Sequence, residues 1–121
     1  MNMKKIMVVD DEPDLIYTVK DALKAEYEVI GANSGKQCLE LLNKKQIPDL
    51  IILDIMMPEM SGWETYSRLK AKNIWKDIPV IFLTARTDMM ARTAGGFFGD
   101  DYIEKPFNRQ EFKLRIDKIL E

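Results

Sequence analysis

Histidine is absent from the 121 residues of the chain, and cysteine occurs only once, at Cys38. The lack of histidine excludes an imidazole base, an imidazole metal ligand and a phosphohistidine carrier within this chain. A single cysteine excludes an internal disulfide and is typical of proteins from a reducing compartment. We therefore expect a cytoplasmic protein whose own chemistry uses neither imidazole nor disulfides.

The chain also lacks a long hydrophobic run and a strong net charge. The apolar stretch that follows its basic start stops at Asp10, which is too short to span a membrane, and no small-residue cleavage site follows. The net charge is −2, with basic residues mixed among acidic ones, so no basic stripe favours direct nucleic-acid binding. An apolar fraction of 46% over this length predicts one globular domain, residues 1–121, with no membrane contact.

Short apolar runs rich in Val, Ile and Leu alternate with segments of helical period, which is the βαβ pattern of a parallel sheet. Strands are predicted near residues 5–9, 27–31, 49–53, 79–83 and 101–104. Right-handed crossovers favour a flavodoxin-like, doubly wound α/β sheet of five strands in the order 2-1-3-4-5, with five helices. The alternation predicts the class of fold, whereas the strand order cannot be read from the pattern alone.

Four of the five predicted helices carry boundary signals. Pro13 suits the first turn of the first helix, with Asp11 or Glu12 near its cap. The other caps are Ser34 for a second helix to about residue 44, a Ser61–Glu64 capping box for a third to about 72, and Asn108 for a last helix that reaches Glu121. The fourth predicted helix is unusual because Gly95 and Gly96 fall where it should still be running.

Polar side chains follow the apolar runs. Asp10 and Asp11 come after the first run, Asp54 after the third, Thr84 after the fourth and Lys105 after the fifth. Ligands of open α/β sheets bind beyond the carboxyl ends of the strands, so these groups should converge at one edge. Three carboxylates, a hydroxyl and an ammonium suit a hard divalent cation and a phosphoryl group.

These motifs resemble the receiver domain of the response regulators of two-component signal transduction, including stand-alone receivers of the chemotaxis type. The resemblance is carried by Asp10-Asp11, the segment from Asp54 to Gly62, Thr84-Ala85 and the segment from Asp101 to Phe107. It covers essentially the whole chain, and its specificity lies in the occurrence of all four motifs in order. The resemblance implies a phosphoacceptor signalling domain of a phosphorelay rather than an enzyme.

By this resemblance Asp54 is the residue that accepts the phosphoryl group. Its carboxylate must approach an anionic group, so the site has to neutralise charge first. The resemblance assigns this task to Mg²⁺ (or Mn²⁺), held by Asp11, Asp54 and the backbone carbonyl of Met56, with Asp10 acting mainly through a water. Lys105 would supply a positive charge to the phosphoryl group, and Thr84 a hydroxyl.

The resemblance also implies a conformational switch. The Thr84 hydroxyl would move toward the phosphoryl group and Tyr102 would follow, changing an output surface of roughly residues 87–118. Lys105-Pro106 would be a cis peptide. Met56 and Arg86 stand where other receivers modulate phosphate lifetime. Neither is a carboxylate or an amide of the kind that could position an attacking water, so we expect a moderately long-lived phosphate.

Implied partners are a sensor histidine kinase or a histidine phosphotransfer protein as donor, and a downstream protein effector. The molecule would be a monomer or a phosphorylation-linked homodimer, whose surface would include Asp100, Asp101, Glu111 and Arg115. Whether it acts alone or as part of a longer chain stays open.

The segment before the fifth strand departs from the usual receiver pattern. It reads Gly99-Asp100-Asp101-Tyr102, without the small residue that commonly separates the glycine from the acidic pair. Two interpretations of the preceding Phe97-Phe98 pair stay open. Both rings pack under the fourth helix, or a shortened fourth helix presents one of them to a partner.

Three other functions compete with the receiver. A haloacid-dehalogenase-type phosphotransferase needs a second Asp two residues after the first, where this chain has Met56. A flavodoxin needs a hydroxyl- and glycine-rich phosphate loop, where Asp10, Asp11 and Glu12 would repel phosphate unless a metal intervened. The serious alternative is a pseudo-receiver, which keeps the fold but acts only as a protein-interaction module without phosphorylation.

Overall fold

The computed structural model describes residues 3–85 and 101–121. Five parallel strands form one sheet in the order β2-β1-β3-β4-β5, which confirms the predicted fold and strand order. The strands are β1 (Lys4–Val9), β2 (Tyr27–Ala32), β3 (Leu50–Asp54), β4 (Val80–Thr84) and β5 (Asp101–Glu104). Strands β3 and β4 end one residue later than predicted, so Asp54 and Thr84 are the last residues of their strands.

The described residues contain four helices, α1 (Pro13–Leu23), α2 (Gly35–Asn43), α3 (Gly62–Lys70) and α4 (Arg109–Leu120). They correspond to the first, second, third and last predicted helices. The predicted fourth helix, with Gly95, Gly96 and the Phe97-Phe98 pair, lies outside the described residues. In the described part of the chain, none of the helices combines the length and apolar character needed to cross a membrane.

Local hydrogen bonds explain where three of these helices begin. The Ser34 hydroxyl accepts from the backbone N–H of Gln37 at 3.0 Å, and Asn108 Oδ1 accepts from that of Glu111 at 3.0 Å. Each bond satisfies a backbone donor that the first helical turn leaves unpaired.

The third cap forms half of the predicted capping box. The Ser61 hydroxyl accepts from the backbone N–H of Glu64 at 3.2 Å. The Glu64 carboxylate pairs with Arg68 one turn along the helix at 2.9 Å.

The sheet is buried on both faces, as expected for a doubly wound fold. Alternate residues of β1 enter different clusters, because successive side chains of a strand point to opposite faces. Met7 and Val9 pack with α2 and α3, whereas Ile6 and Val8 pack with α1 and α4. Every residue of β3 is buried, so the strand end that carries Asp54 is held from both sides.

Candidate functional site

Asp10 and Asp54 stand side by side at the carboxyl ends of neighbouring strands. Val9 pairs with Leu53 in the β1–β3 register, so the next residue on each side is an aspartate. Asp10 is fully buried and Asp54 is 3% exposed. Buried carboxylates are costly unless they are paired, so their partners decide what this site can do.

Lys105 is the partner of both buried aspartates. Its Nζ donates to Asp10 Oδ2 at 3.0 Å and to Asp54 Oδ1 at 3.2 Å, and it lies 3.7 Å from a carboxylate oxygen of Glu12. The Lys105–Pro106 peptide bond that follows β5 is cis. One ammonium thus bridges two carboxylates that lie 95 and 51 residues away along the chain.

Burial and charge together shift the proton equilibria of these groups. Burial, and then the negative charge of Asp10, raise the pKa of Asp54 to about 6 against the pull of Lys105. Burial also raises the pKa of Asp10, although hydrogen bonds from the Glu12 backbone and from Lys105 oppose the shift. For Lys105, burial lowers the pKa, but the Asp10 hydrogen bond and the nearby negative charges outweigh burial, so the pKa is raised overall.

Asp10, Asp11 and Glu12 form an acidic cluster at the mouth of the site. One carboxylate oxygen from each residue lies within 4.8 Å of the others, and Asp11 and Glu12 are exposed. The backbone N–H of Glu12 donates to Asp10 Oδ1 at 2.8 Å, which fixes the buried member of the cluster. A set of carboxylate oxygens open to water on one side suits a hard divalent cation such as Mg²⁺.

Glu12 is the residue that the sequence analysis undervalued. The sequence placed it near the cap of the first helix and did not predict it as a site residue, and as the N-cap of α1 its side chain makes no capping hydrogen bond. Its carboxylate instead joins Asp10 and Asp11 and approaches Lys105. The sequence signal for this role of Glu12 was its position directly after the acidic pair, within one short turn.

The turn after Asp54 is fixed by a close approach of α3. The backbone N–H of Gly62 donates to the carbonyl oxygen of Ile55 at 2.8 Å. A Cβ on Gly62 would overlap the carbonyl oxygen of Asp54 and lie 2.7 Å from Cα of Ile55. Only glycine therefore fits at residue 62, against the backbone that carries Asp54. Met56, the second residue after Asp54, is 65% exposed.

The other predicted site residues come from β4 and β5. Thr84 is the last residue of β4, and Leu83 before it pairs with Asp54 across the β3–β4 register. Tyr102 pairs with Phe82 in the sheet, packs on the core and has the Arg115 guanidinium 6.0 Å from its ring centre. Arg86 lies outside the described residues, as does the part of the predicted output surface from residue 87 to Asp100.

The chain matches the family described as response regulator receiver domain over residues 6–117. It is 43% identical to the transcriptional regulatory protein CpxR of Escherichia coli over 120 residues, which is 98% of this chain and 50% of CpxR. It is 42% identical to histidine kinase P4 of Formosa agariphila over 96% of this chain and 8% of that protein. The chain thus spans about half the length of CpxR and a small part of the kinase.

Solved structures give the same result. A putative response regulator from Chloroflexus aurantiacus is 32% identical, with a TM-score of 0.87 and 98% of both chains covered. The similarity therefore extends over almost the whole chain.

Proposed function

The chain belongs to the response regulator receiver domain family, and we propose that its 121 residues act as one phosphoacceptor domain that takes a phosphoryl group onto Asp54. Receiver domains are signalling modules that interact with histidine kinases. The donor would be a sensor histidine kinase or a histidine phosphotransfer protein, in the cytoplasm. The observation that carries the proposal is the buried Asp54 carboxylate, which is bridged by Lys105 and lies beside an acidic cluster suited to a cation.

Mg²⁺ would be held by carboxylate oxygens of Asp11 and Asp54 and by the backbone carbonyl of Met56. Asp10 would contribute less directly, because one of its oxygens accepts from Lys105 and the other from the Glu12 backbone. When bound, the ion supplies positive charge beside the incoming phosphoryl group. The fit rests on the donor set, since carboxylate and carbonyl oxygens are the ligands that Mg²⁺ prefers.

In the proposed transfer, an oxygen of the Asp54 carboxylate forms a bond to phosphorus while the bond from phosphorus to the donor's imidazole nitrogen breaks. The electron pair of that bond stays on the imidazole, which takes up a proton from solvent. Lys105 would keep its ammonium on the phosphoryl oxygens, where negative charge develops. Thr84, at the adjacent strand end, would donate its hydroxyl to another of these oxygens.

Phosphorylation would add about 1.5 to 2 negative charges and three acceptor oxygens beside Lys105. We infer that Thr84 and Tyr102 respond to the added phosphoryl group. Their response would shift the population between two packings of one face, which consists of the predicted fourth helix, β5 and the last helix, α4. That face, roughly residues 87–118, would bind a downstream protein effector, with the domain as a monomer or a phosphorylation-linked homodimer. Met56 and Arg86 carry no carboxylate or amide that could position an attacking water, so the aspartyl phosphate should survive for longer than seconds.

Incubation with acetyl phosphate and Mg²⁺, followed by intact-mass measurement, tests the proposal. The wild-type chain should gain the mass of one phosphoryl group and lose it again on standing. An Asp54→Asn variant should gain nothing, while Asp14→Asn, which changes an exposed aspartate of α1, should behave like the wild type. No gain in the wild type would favour a pseudo-receiver, and equal gain in Asp54→Asn would place the phosphoryl group elsewhere.

A further inference from the structure

The Glu12 carboxylate stands at the mouth of the site without a structural task. Its side chain is 68% exposed and makes no capping hydrogen bond at the start of α1. Within residues 3–85 and 101–121 its one ion pair is with the Lys105 ammonium at 3.7 Å, which is too long for a hydrogen bond. The fold therefore does not explain why a negative charge occupies this position.

The neighbouring carboxylates do have partners or assigned roles. One oxygen of Asp10 accepts from Lys105 and the other from the backbone N–H of Glu12. Asp54 accepts from Lys105 and is the proposed phosphoacceptor, and Asp11 is a proposed ligand of Mg²⁺. The charge of Glu12 is left over, because neither a hydrogen bond of Lys105 nor a direct bond to the proposed ion neutralises it.

The position of Glu12 brings this charge close to any phosphoryl donor. Lys105 is the ammonium proposed to hold the phosphoryl oxygens, and it lies 3.7 Å from Glu12. A phosphoryl oxygen hydrogen-bonded to Lys105 therefore lies within roughly 7 Å of the Glu12 carboxylate. At that distance, in surroundings close to water, each negative charge of a donor is disfavoured about threefold.

Glu12 and Lys105 also border the same open space. They line one cavity of about 440 Å³ beside the site, and its other lining residues are Leu15, Thr18, Pro106, Phe107 and Arg109. A donor that approaches Lys105 through this space meets the Glu12 carboxylate.

We propose that Glu12 is a specificity-determining residue that disfavours acyl phosphates relative to phosphoryl donors linked through nitrogen. An acyl phosphate carries two negative charges at neutral pH. A phosphoramidate carries about one, because its nitrogen is protonated, and it is therefore repelled less. The inference rests on the proposed function of Asp54 and adds the chemical class of its donor, to which a phosphorylated imidazole also belongs.

Both classes of donor yield the same phosphorylated chain. An oxygen of Asp54 forms a bond to phosphorus in each case. With acetyl phosphate, the bond from phosphorus to oxygen breaks and acetate leaves with the electron pair. With phosphoramidate, the bond from phosphorus to nitrogen breaks, and the protonated nitrogen leaves as ammonia. A difference between the two donors therefore reports the transfer itself rather than the lifetime of the product.

Rates of phosphoryl uptake from acetyl phosphate and from phosphoramidate test the proposal. They are measured by intact mass at pH 7.0, with Mg²⁺ saturating for each variant. Glu12→Gln should accelerate uptake from acetyl phosphate about tenfold and from phosphoramidate about threefold, so the ratio of the rates should rise about threefold. A change that acts only through the metal or through the placement of Lys105 would alter both rates equally and leave this ratio unchanged.

Two matched variants separate the local charge from other effects. Glu12→Asp keeps the charge and should keep the ratio near that of the wild type. Glu40→Gln removes an exposed carboxylate of α2, with the same change in net charge, and should also leave the ratio unchanged. Raising the ionic strength should bring the wild-type ratio toward that of Glu12→Gln, because exposed charges are screened.

Binding without transfer provides a second measurement. A chain that carries Asp54→Asn lacks the proposed phosphoacceptor, so NMR titration can report its affinity for each intact donor. Adding Glu12→Gln to this chain should tighten binding of acetyl phosphate about threefold more than binding of phosphoramidate.

Several results would overturn the inference. These are an equal change of both rates in Glu12→Gln, the same rise of the ratio in Glu40→Gln, or a similar rise in Glu12→Asp. If the wild-type chain is phosphorylated by both donors and the ratio stays fixed, the inference fails while the phosphoacceptor function stands. Absence of uptake from either donor would refute both.

Discussion

At the scale of single residues, the site depends on one ammonium that serves two buried carboxylates. Lys105 bonds to Asp10 and Asp54, yet burial and mutual repulsion still raise the pKa of Asp54 to about 6. The metal-free site therefore retains uncompensated negative charge, and a cation or a change of side chain should relieve it.

Asp54→Asn should stabilise the metal-free protein at neutral pH. The folded state binds the Asp54 proton more tightly than the unfolded chain, whose pKa is 3.8, so folding stability falls as the pH rises from about 4 to about 6. The asparagine removes this loss, a gain of up to about 3 kcal/mol at pH 7.5 that should disappear below pH 4. Urea unfolding in EDTA at both pH values measures the gain.

The control for this prediction is Asp14→Asn, because Asp14 lies exposed on the first turn of α1. The difference in unfolding free energy between Asp14→Asn and the wild type should not grow between pH 4 and pH 7.5 as it does for Asp54→Asn. An Asp54→Asn variant less stable than the wild type at pH 7.5 would contradict the electrostatic argument.

Lys105→Met should raise the pKa of Asp54 above about 6, because the charge and hydrogen bond of Lys105 now lower it. Phosphoryl uptake from acetyl phosphate should slow on the order of 100-fold, the usual cost of losing one donor to developing charge. Carbon-13 NMR titration of the Asp54 carboxyl and a time course of intact mass measure the two effects. The control is Lys20→Met, which changes an exposed side chain of α1 and should alter neither the pKa of Asp54 nor the rate of phosphoryl uptake.

At the scale of elements, the contact between the start of α3 and the end of β3 holds the backbone of Asp54. Gly62 bonds to Ile55 and leaves no room for a Cβ, while Ser61 caps the helix. The sequence indicated the cap from residue types alone. It did not indicate the close approach, because that depends on how a helix and a strand meet in space.

Gly62→Ala should destabilise the protein by about 2–3 kcal/mol and slow phosphoryl uptake, because the new methyl meets the fixed backbone of Asp54 and Ile55. Gly35→Ala is the matched control at the first residue of α2. Its methyl would meet the buried hydroxyl of Thr65 and the side chain of Met60, so it should also destabilise the protein, but it lies away from the backbone of Asp54 and should leave uptake near normal. Thermal unfolding and intact mass compare the two variants, and an equal effect of both on uptake would contradict this explanation.

At the scale of the whole molecule, the doubly wound topology gathers the site. The order β2-β1-β3-β4-β5 makes β1 and β3 neighbours, so that Asp10 and Asp54 meet although 44 residues separate them. One buried hydrophobic cluster on each face of the sheet holds the strands that position these aspartates.

Mg²⁺ should stabilise the whole domain against unfolding, because only the folded chain brings Asp54 beside the acidic cluster. At a concentration 100 times its dissociation constant, the ion should add about 2.7 kcal/mol. Thermal unfolding with and without Mg²⁺ measures the gain. Asp11→Asn should lose most of it, whereas exposed Asp14→Asn should keep it, and equal gains in both variants would place the ion elsewhere.

Much of this architecture could be predicted from the sequence. The apolar runs predicted all five strands to within one or two residues, and Ser34, Ser61 and Asn108 predicted where three helices begin. The predictions for Gly95, Gly96 and Arg86 stay predictions, because these residues lie outside the described part of the chain. Local signals succeed here because strand burial and helix capping depend on neighbouring residues.

The sequence by itself determined which side chains stand at the strand ends, since the hydrophobic runs stop at Asp10, Asp54 and Thr84. Only the tertiary structure decided that Lys105 bridges Asp10 and Asp54, that the carboxylate of Glu12 approaches Lys105, and that the Trp75 indole has no acceptor in the described chain. The physical reason is that a buried group's charge state and hydrogen bonding are set by atoms distant in sequence, which only the packed sheet and helices bring within reach.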